Sequence, residues 1–201
     1  MFGPTESLPL GGVLVGGQSR RFGSEKAVAR VGGRSMASLA VQALRQVSDP
    51  VVLLGGDGKL AKRMALPSRE DVRPGCGPLS GVAAGLRWAA ELERFGLLVL
   101  ACDLPLVSAA LLKEIRALAT SEVDAVVPDS ATEGTQPLCA WYGPGALPTV
   151  EARLEGGEYS MRGLLAHIRV GYVPVLDDIL NVNTRAELTV ARRHVSTEGP
   201  G

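Results

Sequence analysis

Seven consecutive residues, Gly96-Leu97-Leu98-Val99-Leu100-Ala101-Cys102, form the most apolar run in the chain, and Asp103 follows them directly. A strand of this kind is buried on both faces, so its sheet must be covered by helices on both sides. Two more apolar runs fit the same sheet, Leu10 to Val15 and Val51-Val52-Leu53-Leu54, the second bounded by Gly55-Gly56-Asp57-Gly58. Between them Met36, Leu39, Ala40, Ala43, Leu44 and Val47 recur at helical spacing behind Ser35, a good N-cap. The order strand, loop, helix, strand implies parallel strands with covered faces. The fold expected is α/β, a three-layer α/β/α sandwich with a mostly parallel, Rossmann-like central sheet.

The rest of the chain fills in that plan. Lys59 to Met64 reads as a short helix, Ser68 to Val72 as a short strand, and Val82 to Phe95 as a helix entered from the Gly- and Pro-rich stretch Arg73 to Gly81. Ser108 caps a helix with Leu111, Leu112, Ile115 and Leu118 on one face. Val123 to Pro128 is a strand, Asp129 to Thr135 a polar loop, and Gln136 to Tyr142 a returning strand whose Trp141 and Tyr142 suit packing better than stacking on a ligand. Leu147 to Leu154 and Met161 to His167 are short helices, and Val170 to Val175 is the last strand. Thr184 and Glu187 make a capping box for a final helix, Arg185 to His194. A chain of 201 residues suits one domain, 1–201, with ends frayed at about 1–8 and 196–201.

The chemistry is concentrated where the first strand ends. Gly16 and Gly17 break the strand and let backbone N–H groups face an anion. Arg20, Arg21 and Lys26 come within the next ten residues, the density of positive charge that a triphosphate requires. Neither the P-loop nor the dinucleotide fingerprint fits: no Gly-Lys-Ser/Thr is present after the glycines, and neither glycine starts Gly-x-Gly-x-x-Gly. Asp103 ends a different apolar strand, where a carboxylate must be ligated or paired. Open α/β sheets bind ligands beyond the carboxyl ends of their strands, so Asp103 and the basic loop should converge.

The loop matches Gly-x-Ser-x-Arg-x-Gly-x-x-Lys, filled by Gly17, Ser19, Arg21, Gly23 and Lys26. It resembles the signature loop of the molybdenum cofactor guanylyltransferase family, Leu-Ala-Gly-Gly-x-Ser-x-Arg-Met-Gly-x-Asp-Lys, within the glycosyltransferase-A-like nucleotidyltransferases. Val15, Phe22 and Glu25 depart from that pattern. Further matches are Gly77-Pro78-Leu79-Ser80-Gly81, Cys102-Asp103-Leu104-Pro105 and Asn181-Val182-Asn183-Thr184. The resemblance implies a nucleotide-diphospho-sugar-transferase-like fold and transfer of GMP from GTP to the phosphate of molybdenum-molybdopterin, with release of pyrophosphate.

It also implies roles. Arg21, Lys26 and Asp103 would be catalytic, with Asp103 on Mg²⁺. Leu14, Val15, Gly16, Gly17, Ser19, Lys26, Asp71, Gly77, Pro78, Leu79, Gln136, Asn181 and Asn183 would line the substrate sites. Asp71 would accept from N1–H and the 2-amino group of guanine, and Gln136, with Ser160 and Arg162, would face the acceptor. Transient contact with cofactor-synthesis proteins or molybdoenzymes is the protein partnership implied.

Two readings stay open beside this one. Paralogues acting on CTP resemble Leu-Ala-Ala-Gly at the strand end, so a cytidylyl or sugar-1-phosphate nucleotidyltransferase differs by little more than a methyl group at Gly16. A non-catalytic nucleotide or cofactor carrier is the other. Charge narrows the partners: Lys plus Arg and Asp plus Glu are 21 each, so no global field favours nucleic acid or an anionic membrane. Three cysteines without Cys-x-x-Cys spacing argue against a disulfide framework or a zinc site, and no apolar run reaches bilayer length. A cytoplasmic protein is expected. Only two histidines occur, His167 and His194, so acid/base chemistry by histidine is poorly supplied. An acceptor that is itself a phosphate monoester needs none, because its dianion is a nucleophile near neutral pH.

Overall fold

The computed structural model describes residues 8–16, 26–56, 58–175 and 179–197. Ten strands and seven α-helices are defined among them. In chain order they are β1 (Leu10–Leu14), β2 (Arg30–Val31), β3 (Arg34–Ser35), α1 (Met36–Leu44), β4 (Val51–Leu54), α2 (Lys59–Met64), β5 (Ser68–Arg69), α3 (Pro78–Glu91), β6 (Leu97–Ala101), α4 (Ala109–Ala117), β7 (Ala125–Ser130), β8 (Gly134–Thr135), β9 (Cys139–Tyr142), α5 (Leu147–Glu155), α6 (Met161–Leu165), β10 (Val170–Val175) and α7 (Arg185–Thr197).

The main sheet runs β10-β7-β9-β6-β1-β4-β5, with β8 added to β7; β2 and β3 form a separate small ladder. Strands β5, β4, β1 and β6 are parallel, as are β7 and β10, while β9 runs antiparallel to both β6 and β7. The mostly parallel sheet expected from the apolar runs is therefore present. Each of β1, β4 and β6 is buried along its whole length, which only helices on both faces can arrange. Helix α1 carries the chain from β1 outward to β4 and α3 carries it from β5 back to β6. Right-handed crossovers in opposite directions put those two helices on opposite faces. Helix α4 packs beside α1, and α5 beside α3. The result is a three-layer α/β/α sandwich.

Several boundaries differ from the sequence expectation, each for a physical reason. Helix α3 begins at Pro78, not Val82, because proline at the first helical position lacks an N–H that would be unpaired there anyway. Helix α1 stops at Leu44, with turn geometry over 45–47. The polar loop Asp129 to Thr135 folds back on itself, β8 pairing with Asp129 and Ser130. Residues 136–138 turn instead of extending β9, and β5 is two residues long, leaving Asp71 beyond it. Leu118 is 49% exposed, so the apolar face of α4 reduces to Leu112 and Ile115 with half-buried Leu111. Ser196 and Thr197, expected to fray, complete α7, and the remaining expected ends lie outside the described residues.

Trp141 and Tyr142 are fully buried, Trp141 stacked on Phe95 at 5.1 Å and the Tyr142 hydroxyl donating to the Pro137 carbonyl at 2.8 Å. They are packing residues. A second, smaller core of Val31, Met36, Val182, Leu188 and Ala191 ties α7 and the segment before it to the β2–β3 ladder. No helix among the described residues is long and apolar enough to cross a membrane.

Candidate active site

The register of the sheet decides which residues meet at its carboxyl edge. Leu14 pairs with Leu54 on one side and Ala101 on the other, so β1, β4 and β6 end level. Val15 N–H donates to the Leu54 carbonyl and Cys102 N–H to the Leu14 carbonyl, at 3.0 and 3.1 Å. The residues just past the three strands, Val15-Gly16, Gly55-Gly56 and Cys102-Asp103, therefore emerge side by side. Leu54 also pairs with Arg69, which places Asp71 just past the same edge. Between β1 and β6 the strand order reverses, since the chain leaves β1 for β4 and returns through β6. A crevice at such a reversal is where open α/β sheets take their ligands.

Three of the residues singled out in the sequence come together there. Lys26 opens a 3₁₀ turn, Lys26–Val28, and its Nζ donates to Asp103 Oδ2 at 2.9 Å and to Asn183 Oδ1 at 2.6 Å. They stand 77 and 157 positions from Lys26 in sequence. The side chains of Lys26 and Asp103 are 14% and 22% exposed, half-sheltered yet open to a ligand. The pairing required of a carboxylate at the end of an apolar strand is thus made by the loop lysine. Asn183 arrives from the far end of the chain because Val182 N–H donates to the Asp103 carbonyl at 2.8 Å.

A second group surrounds Asp71. Its carboxylate is half-buried, with no hydrogen-bond donor bonded to it among the described residues, and burial raises its pKa above the usual carboxylate range. Glycines make the space it occupies. A Cβ on Gly55, which has φ +76°, would stand 3.2 Å from Asp71 Oδ1, one on Gly81 3.3 Å from the same oxygen, and one on Gly16 3.6 Å from Oδ2. Gly77 is the N-cap of α3 with φ 67°, and Pro78 and Leu79 open that helix, Leu79 being fully buried. Ser80 Oγ accepts from Arg73 N–H at 2.7 Å and so fixes the loop between Asp71 and α3.

The other sequence candidates fall differently. Gly17, Ser19 and Arg21 lie outside the described residues, as does the rest of the basic loop before Lys26. Leu14 is the buried last residue of β1. Gln136 is half-buried in the turn before β9, its N–H bonded to the Pro128 carbonyl, and is not joined by hydrogen bonds to the Lys26 group. Asn181 Oδ1 is buried without a hydrogen-bond partner among the described residues. Ser160 caps α6 by accepting from Gly163 N–H, which uses its hydroxyl, and Arg162 reaches the Glu133 carbonyl at 3.4 Å. Two residues of the site carry little signal in the sequence. Gly55 is foreshadowed only by the double glycine after β4, and Glu187 is visible as a cap but not as a neighbour of the site.

The arrangement selects among mechanisms. Cys102 cannot act as a nucleophile: burial, with the adjacent charge of Asp103, pushes its thiol up to about 12. His167 and His194 hydrogen-bond within their own surroundings, through Gly163 and Val190 carbonyls, and neither contacts Lys26 or Asp103. Among the described residues no group of three His, Cys, Asp or Glu side chains could hold a metal by itself. Asp103 offers one carboxylate with Oδ1 outside the Lys26 bond, and that suits a cation which takes one carboxylate and completes its shell with substrate phosphates and water. The crevice thus presents a cation, a carboxylate and an amide around one opening.

Residues 11–171 match the family model of the MobA-like NTP transferase domain. The chain belongs to this family. Among the relatives of this MobA-like chain, the probable molybdenum cofactor guanylyltransferase of Opitutus terrae is 38% identical over 160 residues, covering 78% of this chain and 77% of that protein. The probable molybdenum cofactor guanylyltransferase of Pelotomaculum thermopropionicum is 34% identical over 192 residues, 90% and 91% of the two chains. The crystal structure of molybdopterin-guanine dinucleotide biosynthesis protein A from Archaeoglobus fulgidus superposes with a TM-score of 0.78 at 26% identity, covering 94% of this chain and 99% of that one. The MobA-like relatives thus span nearly all of the sheet and its carboxyl edge.

Proposed function

We propose that this MobA-like chain transfers GMP from GTP to the phosphate of molybdenum-molybdopterin, giving the guanine dinucleotide form of the cofactor and pyrophosphate. The observation that carries the reading is the meeting of Lys26, Asp103 and Asn183 at the strand-order reversal between β1 and β6. Relatives named as guanylyltransferases over most of the chain supply the substrate class.

The chemistry asked of the protein is modest. An oxygen of the acceptor phosphate attacks the α-phosphorus of GTP, a new P–O bond forms, and the bond to the β-phosphate oxygen breaks as pyrophosphate leaves. No protein group need remove a proton, because the acceptor dianion is already ionised. Lys26 neutralises phosphate oxygens in a partly dry crevice, where a fixed charge is worth more than in water. Asn183 holds the ammonium from its other side. Asp71 receives the guanine edge, whose N1–H and 2-amino donors match an acceptor-only carboxylate. Asp103 would hold Mg²⁺, which would supply neutralisation of the negative charge on the triphosphate. The reaction belongs in the cytoplasm, a setting consistent with three free, buried cysteines.

Titration calorimetry with GTP, CTP, ATP and UTP, each with and without Mg²⁺, tests substrate and metal together. GTP should bind selectively and more tightly with metal. Asp103→Asn should lower turnover by roughly 10²–10⁴-fold, the several kcal/mol that a bridging metal commonly provides. A preference for CTP, or full Mg²⁺-dependent turnover in Asp103→Asn, would overturn the assignment.

A further inference from the structure

Asn183 is exposed and stands on an irregular segment, yet its side-chain oxygen meets Lys26 Nζ at 2.6 Å. An amide in such a place holds one position only if its main chain is fixed on both flanks. The upstream flank is held by the Val182 N–H bond to the Asp103 carbonyl, 2.8 Å, and by the Val182 side chain, fully buried against Val31, Met36, Leu188 and Ala191. On the downstream flank a single oxygen, Glu187 Oε2, accepts from both Asn183 N–H and Thr184 N–H, at 2.6 and 2.7 Å.

A capping box alone accounts for only part of this. It needs the N-cap hydroxyl to receive an N–H, here Glu187 to Thr184 Oγ1 at 3.2 Å, and the carboxylate to receive the N-cap N–H of Thr184. The bond to Asn183 N–H is additional, one residue ahead of the cap, and it is the shorter of the two. The Asn183 amide foremost, then Thr184 and the nearby charge of Lys26, hold the Glu187 carboxyl below the usual range despite some desolvation, so it is anionic at neutral pH. Glu187 itself makes no hydrogen bond to Lys26.

We infer that Glu187 is a positioning residue for nucleotidyl transfer: acting through Asn183, it fixes where the Lys26 ammonium stands relative to Asp103. The inference rests on the reading of Lys26 as a triphosphate ligand. Without Glu187 the Asn183 amide is released, and the ammonium is left to Asp103 alone. It then neutralises the carboxylate instead of being shared toward phosphate, and nucleotide binding weakens although no nucleotide contact has been removed.

Three variants of the full chain separate positioning from capping. Thr184→Ala removes the cap hydroxyl and leaves the Asn183 bond. Glu187→Ala removes the carboxylate's bonds to Asn183 N–H and Thr184 N–H but keeps the backbone N–H that donates to Thr184 Oγ1, and Glu187→Gln keeps an acceptor that serves in capping boxes. Thr184→Ala and Glu187→Ala should both lower Tm. Only Glu187→Ala should weaken GTP binding by calorimetry, about 3–10-fold for one lost positioning hydrogen bond, with Glu187→Gln restoring most of it. Asn183→Ala combined with Glu187→Ala should bind GTP no worse than Asn183→Ala alone, since the two act in series. Wild-type GTP affinity in Glu187→Ala, or an equal loss in Thr184→Ala, would reduce Glu187 to a helix cap and overturn the inference. Lys26→Ala is the reference: if it binds GTP as wild type does, the role of Lys26 is what has failed, and the inference falls with it.

Discussion

Asp71→Asn separates the cost of the carboxylate to the free protein from its benefit to the ligand. Asp71 is half-buried among Gly16, Gly55 and Gly81 with no described donor bonded to it, and burial raises its pKa. A raised folded pKa means that the folded chain binds this proton more tightly than the unfolded chain. Ionised Asp71 therefore destabilises the fold at every pH above its folded pKa, and the penalty vanishes below the ordinary aspartate value of about 4. The neutral amide escapes that penalty, so Asp71→Asn should raise Tm near pH 7.5. The gain should shrink to nothing as pH falls below about 4. Binding should move the other way. The two charge-assisted bonds proposed to guanine, each worth about 1.5–3 kcal/mol, would be replaced by one neutral acceptor and an NH₂ facing a donor. The net loss is about 2–4 kcal/mol, or ~30–1000-fold in the Kd for GTP. Calorimetry with GTP and with inosine triphosphate, which lacks the 2-amino group, reads the loss directly: wild type should prefer GTP and the variant should not. Unchanged GTP affinity would refute the placement of the guanine edge on Asp71, and a lower Tm at neutral pH would refute the cost assigned to its burial.

Three further outcomes are expected. Gly16→Ala puts a methyl 3.4 Å from Gly56 N and 3.6 Å from Asp71 Oδ2, ordinary contact distances, so Tm should hold. GTP affinity should fall by about 10-fold or more relative to CTP, the scale of one methyl in a pocket, because the methyl crowds the larger base; equal affinities before and after would remove Gly16 from base choice. Lys26→Met frees Asp103 of its resident cation, so Mn²⁺ binding to the nucleotide-free protein, followed by electron paramagnetic resonance, should tighten about 3–10-fold while GTP binding weakens; unaltered Mn²⁺ affinity would separate Asp103 from the metal. Gly96→Ala should cost at least about 2 kcal/mol in urea unfolding with GTP affinity intact. Its Cβ would stand 2.6 Å from the Tyr142 carbonyl at φ +145°, so a variant as stable as wild type would contradict that packing.

The sequence makes the sheet legible because burial on both faces leaves a direct mark, an apolar run, and β1, β4 and β6 each carry one. Boundaries are less legible where capping competes with composition: the Gly- and Pro-rich approach to α3 reads as irregular, yet proline is at home in a first helical turn. Residues on the chain's own signature loop and strand ends are legible as chemistry, since a carboxylate after apolar residues needs a partner. Which partner is not. Spacing along the chain says nothing about a contact spanning 157 positions, and the Lys26–Asn183 bond depends on the Val182–Asp103 backbone bond and on the small core beneath α7. Gly55 is silent for a related reason. Its value lies in the space its missing side chain leaves for Asp71, a residue that only the level ends of β4 and β5 bring alongside.

That geometry explains why the site is built from opposite charges instead of cations alone. Lys26 facing an empty crevice would be a desolvated, unpaired ammonium, and Asp103 at the end of a wholly buried strand an unpaired carboxylate; each would cost stability. Paired at 2.9 Å, each neutralises the other. The pair is a poor binder of either metal or phosphate while it stays closed, since each ion's charge is taken up by its neighbour. A metal–triphosphate, which brings both signs at once, can satisfy the carboxylate with its cation and the ammonium with its phosphates in the same event. Entry of the substrate is then an exchange of partners, with little charge left uncovered at any stage. The same logic predicts cooperativity between metal and nucleotide in the wild-type protein, and its loss once either member of the pair is made neutral.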